Sequence, residues 1–242
     1  MKEYFNNLYK GSGSSLIQEL ETCLEEGEKK FIITANPETF MLGKNNSGFD
    51  EVLKSKRVTV VPDGIGLVKG AGIIGLDIKE RITGVELCEK LFKILNKQKG
   101  SIYLFGAEER IGAKLCERLK REYPNIELKG YTNGYVKNKD EIMQKIIQTK
   151  PDVALVALGI PNQEMLISKY FDEAEKGVFI GVGGSFDVLS GEKKRAPQIF
   201  IKLNLEWLYR IAKEPKRIKR FYVSNVKFIK ELQKLKRKGG IL

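Results

Sequence analysis

Short, unbroken apolar runs alternate along the chain with stretches whose apolar positions recur every three to four residues. The runs are FIIT (31–34), VTVV (58–61), SIYLF (101–105), IELKGY (126–131), DVALVALG (152–159) and GVFIGVGG (177–184). They are rich in β-branched and aromatic residues and end at Gly, Pro or Asn, so each predicts a strand. A run as continuous as VALVAL fits a sheet covered on both faces. Helix start signals fall between the runs. Ser15 followed by Gln18 predicts a helix running to Gly27, and Asn36-Pro37-Glu38 supplies an N-cap, a proline for the first turn and an acid. Thr83 with Glu86 opens an amphipathic helix to about Lys99. A further helix runs from about Glu108 to Tyr123, Asn138 with Glu141 opens another, and Pro161 sits where a first turn would start. Strand and helix in alternation predict a layered α/β fold of the Rossmann-like kind with a mainly parallel sheet.

The pattern changes after residue 195. In RIKRFYVSNVKFIKELQKLKRK, Ile218, Phe221/Tyr222, Asn225/Val226, Ile229, Leu232 and Leu235 recur at helical spacing with Lys and Arg between them. That predicts a basic amphipathic helix. The expected organisation is an α/β catalytic domain over 1–195 and a C-terminal helical appendage over 196–242. Charge supports the division. Of the formal net charge of +12, residues 196–242 carry +10, with 13 Lys and Arg against 3 Asp and Glu. A nearly neutral body with a basic tail predicts an anionic partner for the tail. Trp207, Tyr209, Phe221 and Tyr222 suit a membrane interface, and no nucleic-acid motif accompanies the charge.

Composition removes several mechanisms. The chain has no histidine, which excludes Ser-His and Cys-His catalysis and disfavours zinc or iron sites. A general base must then be Asp, Glu, Lys, Tyr or a cysteine thiolate. Cys23, Cys88 and Cys116 stand far apart and read as small buried hydrophobes. No apolar run approaches the ~20 residues of a membrane-spanning helix, and MKEYFNNLYKGSGSS has no apolar signal-peptide core. The expected location is the cytoplasm.

In parallel α/β sheets, ligands bind beyond the carboxyl ends of the strands. The residues there are Thr34, Asn36, Asp63, Gly64, Gly106, Gly159 with Gln163, and the segment from Gly181 to Asp187, which includes Gly183 and Gly184. Asp63 follows its strand directly. Pro62-Asp63-Gly64 reads either as turn chemistry or as a carboxylate base on the rim. Asn36 serves as a helix cap beside the same rim. LFGAEERIGAKL (104–115) offers backbone N–H groups to a diphosphate but is not GxGxxG, and GIGLVKGAG (64–72) has neither that spacing nor a P-loop Lys-Ser/Thr. An NAD-type dehydrogenase is thereby disfavoured. Arg81 reads as a surface arginine or as a phosphate contact, and Gln163 as a surface residue or a sugar contact.

Read together, TANPET (34–39), VVPDGIGLV (60–68), KERITGVEL (79–87), YLFGA (103–107), ALGIPNQE (157–164), GVGGSFDVLSGEKKRAP (181–197) and LEWLYRIAKEPKRIKRFY (205–222) resemble the WecG/TagA/CpsF glycosyltransferases. The resemblance runs from about residue 31 to about 222. The first thirty residues match poorly, with KGSGSS where the family has a short strand. It implies an inverting, metal-independent transferase without cofactor at the inner face of the cell membrane. The implied reaction moves N-acetylmannosamine or a related N-acetylhexosamine from a UDP donor to undecaprenyl-diphosphate-GlcNAc, as in the wall teichoic acid linkage unit. Some members use a UDP-uronic acid instead. The implied roles are Asp63 as general base, with Thr34, Asn36, Arg81 and Gln163 in the pocket. Arg210, Arg217 and Arg220 would reach the diphosphate from the tail, and Gly106, Gly183 and Gly184 count among the expected substrate-binding residues. The expected partners are the two substrates and an anionic membrane surface, with a second copy of the chain as a further candidate. The alternative of another class is a non-catalytic module binding nucleic acid through its basic tail.

Overall fold

Six strands pair side by side to form one sheet in the computed structural model, which describes residues 1–237 apart from the side chains of Arg217 and Arg220. They are β1 (Lys29–Ala35), β2 (Val58–Pro62), β3 (Ser101–Gly106), β4 (Glu127–Thr132), β5 (Val153–Ala157) and β6 (Gly177–Gly181). Their order is β2-β1-β6-β5-β3-β4, and every neighbouring pair is parallel. The sheet is therefore wholly parallel, beyond the mainly parallel arrangement expected.

Alternation along each strand builds two cores. Phe31, Ile33, Val60, Tyr103, Phe105, Val156 and Phe179 face one helical layer. Ile32, Val61, Ile102, Leu104, Val153, Leu155, Val178 and Ile180 face the other. Every residue of β5 and of β6 is buried, as a sheet covered on both faces requires. The edge strand β4 is half-exposed and bulges against β3.

The helix caps follow the sequence signals closely. Asn36 Oδ1 accepts the N–H groups of Glu38 and Thr39, and Thr39 Oγ1 accepts the N–H of Asn36. Thr83 and Asn138 accept from Glu86 and Glu141. One start is displaced. The first long helix, Gly13–Glu25, is capped by Ser12, whose hydroxyl accepts from Ser15 N at 3.1 Å. Ser15 is thus the receiver of the cap rather than its origin. The N-terminal segment also joins the sheet edge, because Leu8 bridges Val60 and Tyr9 N donates to Val60 O at 2.8 Å.

The appendage continues as helices Gln198–Lys202, Glu206–Lys213 and Arg217–Arg237. The last of these lies on the body. Its inward residues are Phe221, Asn225, Phe228, Leu232 and Leu235, with Phe228 and Leu232 fully buried. The expected stripe holds at Phe221, Asn225, Leu232 and Leu235 and fails at Ile218 and Ile229. Ile218, Tyr222 and Ile229 are exposed on an adjacent face, and Phe228 anchors the helix instead. Phe228 meets Phe40 edge-on at 6.0 Å, and Glu231 pairs with Lys44. The helix approaches closely because its partner, Ile65–Ile73, turns glycines toward it. A Cβ on Gly70 would lie 2.5 Å from the Phe228 ring, and one on Gly66 would lie 2.8 Å from Asn225 Oδ1.

Candidate active site

Asp63 stands one residue beyond β2. Its N–H donates to Ala35 O at 2.8 Å, which extends the ladder to β1, and Pro62 O accepts from Ile82 N. Gly64 then starts the helix Ile65–Ile73. The Pro-Asp-Gly segment is therefore a strand-to-helix junction, and the carboxylate sits on the rim. A cleft of about 340 Å³ opens above it. Asn36, Asp63 and Arg81 of the body line it, facing Trp207, Arg210 and Phe221 of the appendage. Trp207 and Phe221 stack at 4.8 Å with nearly parallel rings and form an apolar wall.

Charge in the cleft is organised by Glu206, which no sequence motif singled out for a role. Glu206 is 4 % exposed. It pairs with Arg81 at 3.4 Å and with Arg210 at 2.9 Å. The first pair joins body to appendage, and the second is an i,i+4 contact within one helix. Burial pushes the Asp63 carboxyl above its ordinary range, and Glu206 adds to the rise. Arg210, Arg81 and the N–H of Gly84 pull the other way. Desolvation makes a carboxylate more basic, and the two arginines keep it accessible to ionisation, which together suit a general base.

The structure places the remaining expected residues as follows. Asn36 lines the cleft while capping its helix. Thr34 donates to Gly181 O at 2.9 Å and ties β1 to β6 at the rim. Gln163 is 1 % exposed. Its Oε1 accepts from Gly159 N and Gly183 N, both at 3.1 Å, and its Nε2 donates to Glu164 at 2.7 Å. The carboxamide oxygen and one of its two N–H groups are bonded within the protein, so Gln163 holds two rim loops together. Gly183 spends its N–H on that bond. Gly106 has φ +125° and packs against the Ala157 carbonyl, where a Cβ would clash; it lines neither of the two cavities at the rim. Gly184 lines a second cavity beside the first. Arg210 lines the cleft. The roles expected for Arg217 and Arg220 fall on side chains outside the described residues.

Among the described residues, no helix is long and apolar enough to cross a membrane.

An acid on the rim of a parallel sheet, arginines beside it and a helical cover make this cleft the candidate site of an α/β protein. Residues 6–240 match the model of the glycosyl transferase WecG/TagA/CpsF family, and the chain belongs to that family. The match extends through most of the first thirty residues, which the motifs alone leave out. The chain is 41 % identical over 208 residues to the N-acetylglucosaminyldiphosphoundecaprenol N-acetyl-beta-D-mannosaminyltransferase of Bacillus spizizenii, covering 86 % of this chain and 80 % of the relative. The enzymes of the same name from Bacillus subtilis strain 168 and Staphylococcus aureus strain MRSA252 are 40 % and 37 % identical. They cover 78 % and 86 % of this chain, and 73 % and 81 % of their own lengths.

Proposed function

We propose that this protein transfers N-acetylmannosamine from a UDP donor to the GlcNAc of undecaprenyl-diphosphate-GlcNAc, forming the β-linked disaccharide of the wall teichoic acid linkage unit. The observation that carries the reading is Asp63, desolvated on the rim between Arg81 and Arg210 and roofed by the appendage. Asp63 takes the proton of the acceptor hydroxyl as that oxygen attacks C1 of the donor sugar. The C1–O bond to UDP breaks, its electrons go to the leaving diphosphate, and the anomeric centre inverts. Positive charge at the cleft stabilises the departing diphosphate without a metal ion. The Trp207–Phe221 wall supplies an apolar surface for a sugar face.

The acceptor is lipid-linked, and the appendage offers the means to meet it. Ile199, Leu203, Leu208, Ile218, Tyr222 and Ile229 are exposed, interleaved with Lys202, Lys219 and Lys230. An apolar face with basic neighbours favours the surface of an anionic bilayer. The protein then works as a peripheral enzyme on the inner face of the membrane.

The test is UDP release in EDTA with a short-chain polyprenyl-diphosphate-GlcNAc acceptor and a panel of UDP-sugars. Acceptor-dependent release with UDP-N-acetylmannosamine is the expected result. Release only with a UDP-uronic acid would move the chain to another surface polymer, and a requirement for added metal would refute the metal-free mechanism.

A further inference from the structure

A second cavity, of about 350 Å³, shares Glu206 and Arg210 with the cleft over Asp63. Its lining is strongly cationic. Lys193, Lys194, Arg195 and Lys213 join Arg210 there, against Asp187, Glu206 and Glu214. The carboxylates are largely committed. Asp187 and Glu214 both take Lys193, at 3.6 and 3.2 Å, and Glu206 is held by the two arginines. Three cationic donors remain. Lys194 has no carboxylate partner among the described residues. Lys213 has none either and sits 5.9 Å over the Tyr209 ring. Arg195 spends Nη2 on Glu86 at 2.5 Å, while its Nε is out of solvent without any acceptor.

A buried donor left unsatisfied is costly. An excess of positive charge around a cavity attracts a polyanion rich in acceptor oxygens. The shared wall of Glu206 and Arg210 fixes the relation between the two chambers. A group that placed its phosphate in the second chamber and extended past Glu206 and Arg210 would enter the cleft over Asp63. We infer that this second chamber is a diphosphate subsite, in which Lys194, Lys213 and Arg195 hold a diphosphate ester whose sugar lies beside Asp63. That the ester is a substrate rests on the transferase reading above. The chemistry is common to the nucleotide donor and the lipid-linked acceptor, and kinetics separates the two.

The experiment uses the full chain. Binding of inorganic pyrophosphate is measured calorimetrically for the wild type, for Lys194→Ala/Lys213→Ala, and for Lys120→Ala/Lys145→Ala, which removes the same charge from exposed positions elsewhere. Both chamber lysines are solvent-exposed, so the fold is expected to survive; circular dichroism checks this. The expected result is a loss of pyrophosphate affinity of at least about tenfold in the chamber variant and little change in the control. Equal losses in the two variants would reduce the effect to net charge and overturn the subsite. In the transfer assay, a KM raised only for the UDP-sugar assigns the chamber to the donor, and a KM raised only for the lipid assigns it to the acceptor. Unchanged KM values for both would overturn its role as a substrate site. The calorimetric arm needs no transfer activity. A lysine-dependent pyrophosphate site in a chain inactive with every donor would therefore sink the transferase reading and leave the subsite standing.

Discussion

Replacing Gly70 by alanine tests how the appendage is held. Gly70 lies inside the helix Ile65–Ile73, and its added Cβ would stand 2.5 Å from Phe228 Cε1 and 2.8 Å from Leu232 Cδ1. Carbon atoms prefer about 3.5–4.0 Å, so the helix Arg217–Arg237 must retreat by about 1 Å. Phe228 and Leu232 are fully buried, and burying two such side chains contributes roughly 3–6 kcal/mol as an upper estimate. A gap of that size forfeits about a quarter to a half of the contact energy, or roughly 1–3 kcal/mol, which matches the usual cost of overpacking. Alanine also favours the Ile65–Ile73 helix by about 1 kcal/mol, but it does so whether or not the tail is docked. The docking equilibrium therefore falls by about 5- to 150-fold while the body keeps or gains stability. Limited trypsin digestion reads this directly, because the tail is rich in Lys and Arg, with thermal denaturation reporting on the body. Phe228→Ala loosens the tail by deleting the ring, at a cost of about 3–5 kcal/mol. In that background Gly70→Ala still meets Leu232 but no longer the ring, so the double variant falls short of the sum of the two single effects. Unchanged tail cleavage in Gly70→Ala, or strict additivity in the double variant, would refute the packing account.

Three further variants address the charges. Asp63→Asn abolishes transfer yet raises the melting temperature at pH 7. The Asp63 carboxyl is raised in the fold above its ordinary 3.8, so its ionisation costs stability that is lost as pH rises from about that value through the folded pKa, and the gain from Asp63→Asn vanishes in acid. Glu206→Gln removes a negative neighbour that raises Asp63, so the acid limb of the kcat/KM profile moves to lower pH; a limb that stays in place would restrict Glu206 to a structural role. Glu164→Gln bears on a fully buried carboxyl raised from 4.5 to about 7 with one oxygen unpaired. Urea denaturation should show a gain on the order of 3 kcal/mol at pH 8 and little at pH 4.

The sheet was legible because each strand states its own case. Buried runs such as VALVAL, and caps such as Asn36 and Thr83, act over a few residues, and local pattern suffices to find them. The rim followed from the sheet, since Asp63 directly continues a recognisable strand. Side-chain direction beyond a strand end did not follow. Gln163 lies on the first helical turn after β5, a position that does not distinguish a residue aimed at ligand from one bonded to Gly159 and Gly183. Glu206 was hidden for a different reason. Its value comes from Arg81, far away in sequence, and from an appendage whose placement no local pattern gives. The amphipathic pattern of the tail is legible and includes Leu232, but several neighbouring stripes fit helical spacing, and only the contact with the body selects Phe228 over Ile229.

The segment GIGLVKGAG shows how such a contact reshapes a reading. Its glycines fail the spacing of a nucleotide loop, and in isolation they weaken a helix. In the fold they form one, Ile65–Ile73, and three of them stand where a Cβ would meet a neighbour. Gly64 and Gly66 crowd Asn36 and Pro37, and Gly66 and Gly70 crowd Asn225 and Phe228. The first pair brings two helix starts together beside Asp63. The second admits the helix that carries Phe221, Ser224 and Asn225 into the cleft. One glycine-rich helix therefore joins the rim that bears the acid to the tail that covers it. Its composition follows from this close approach on two sides.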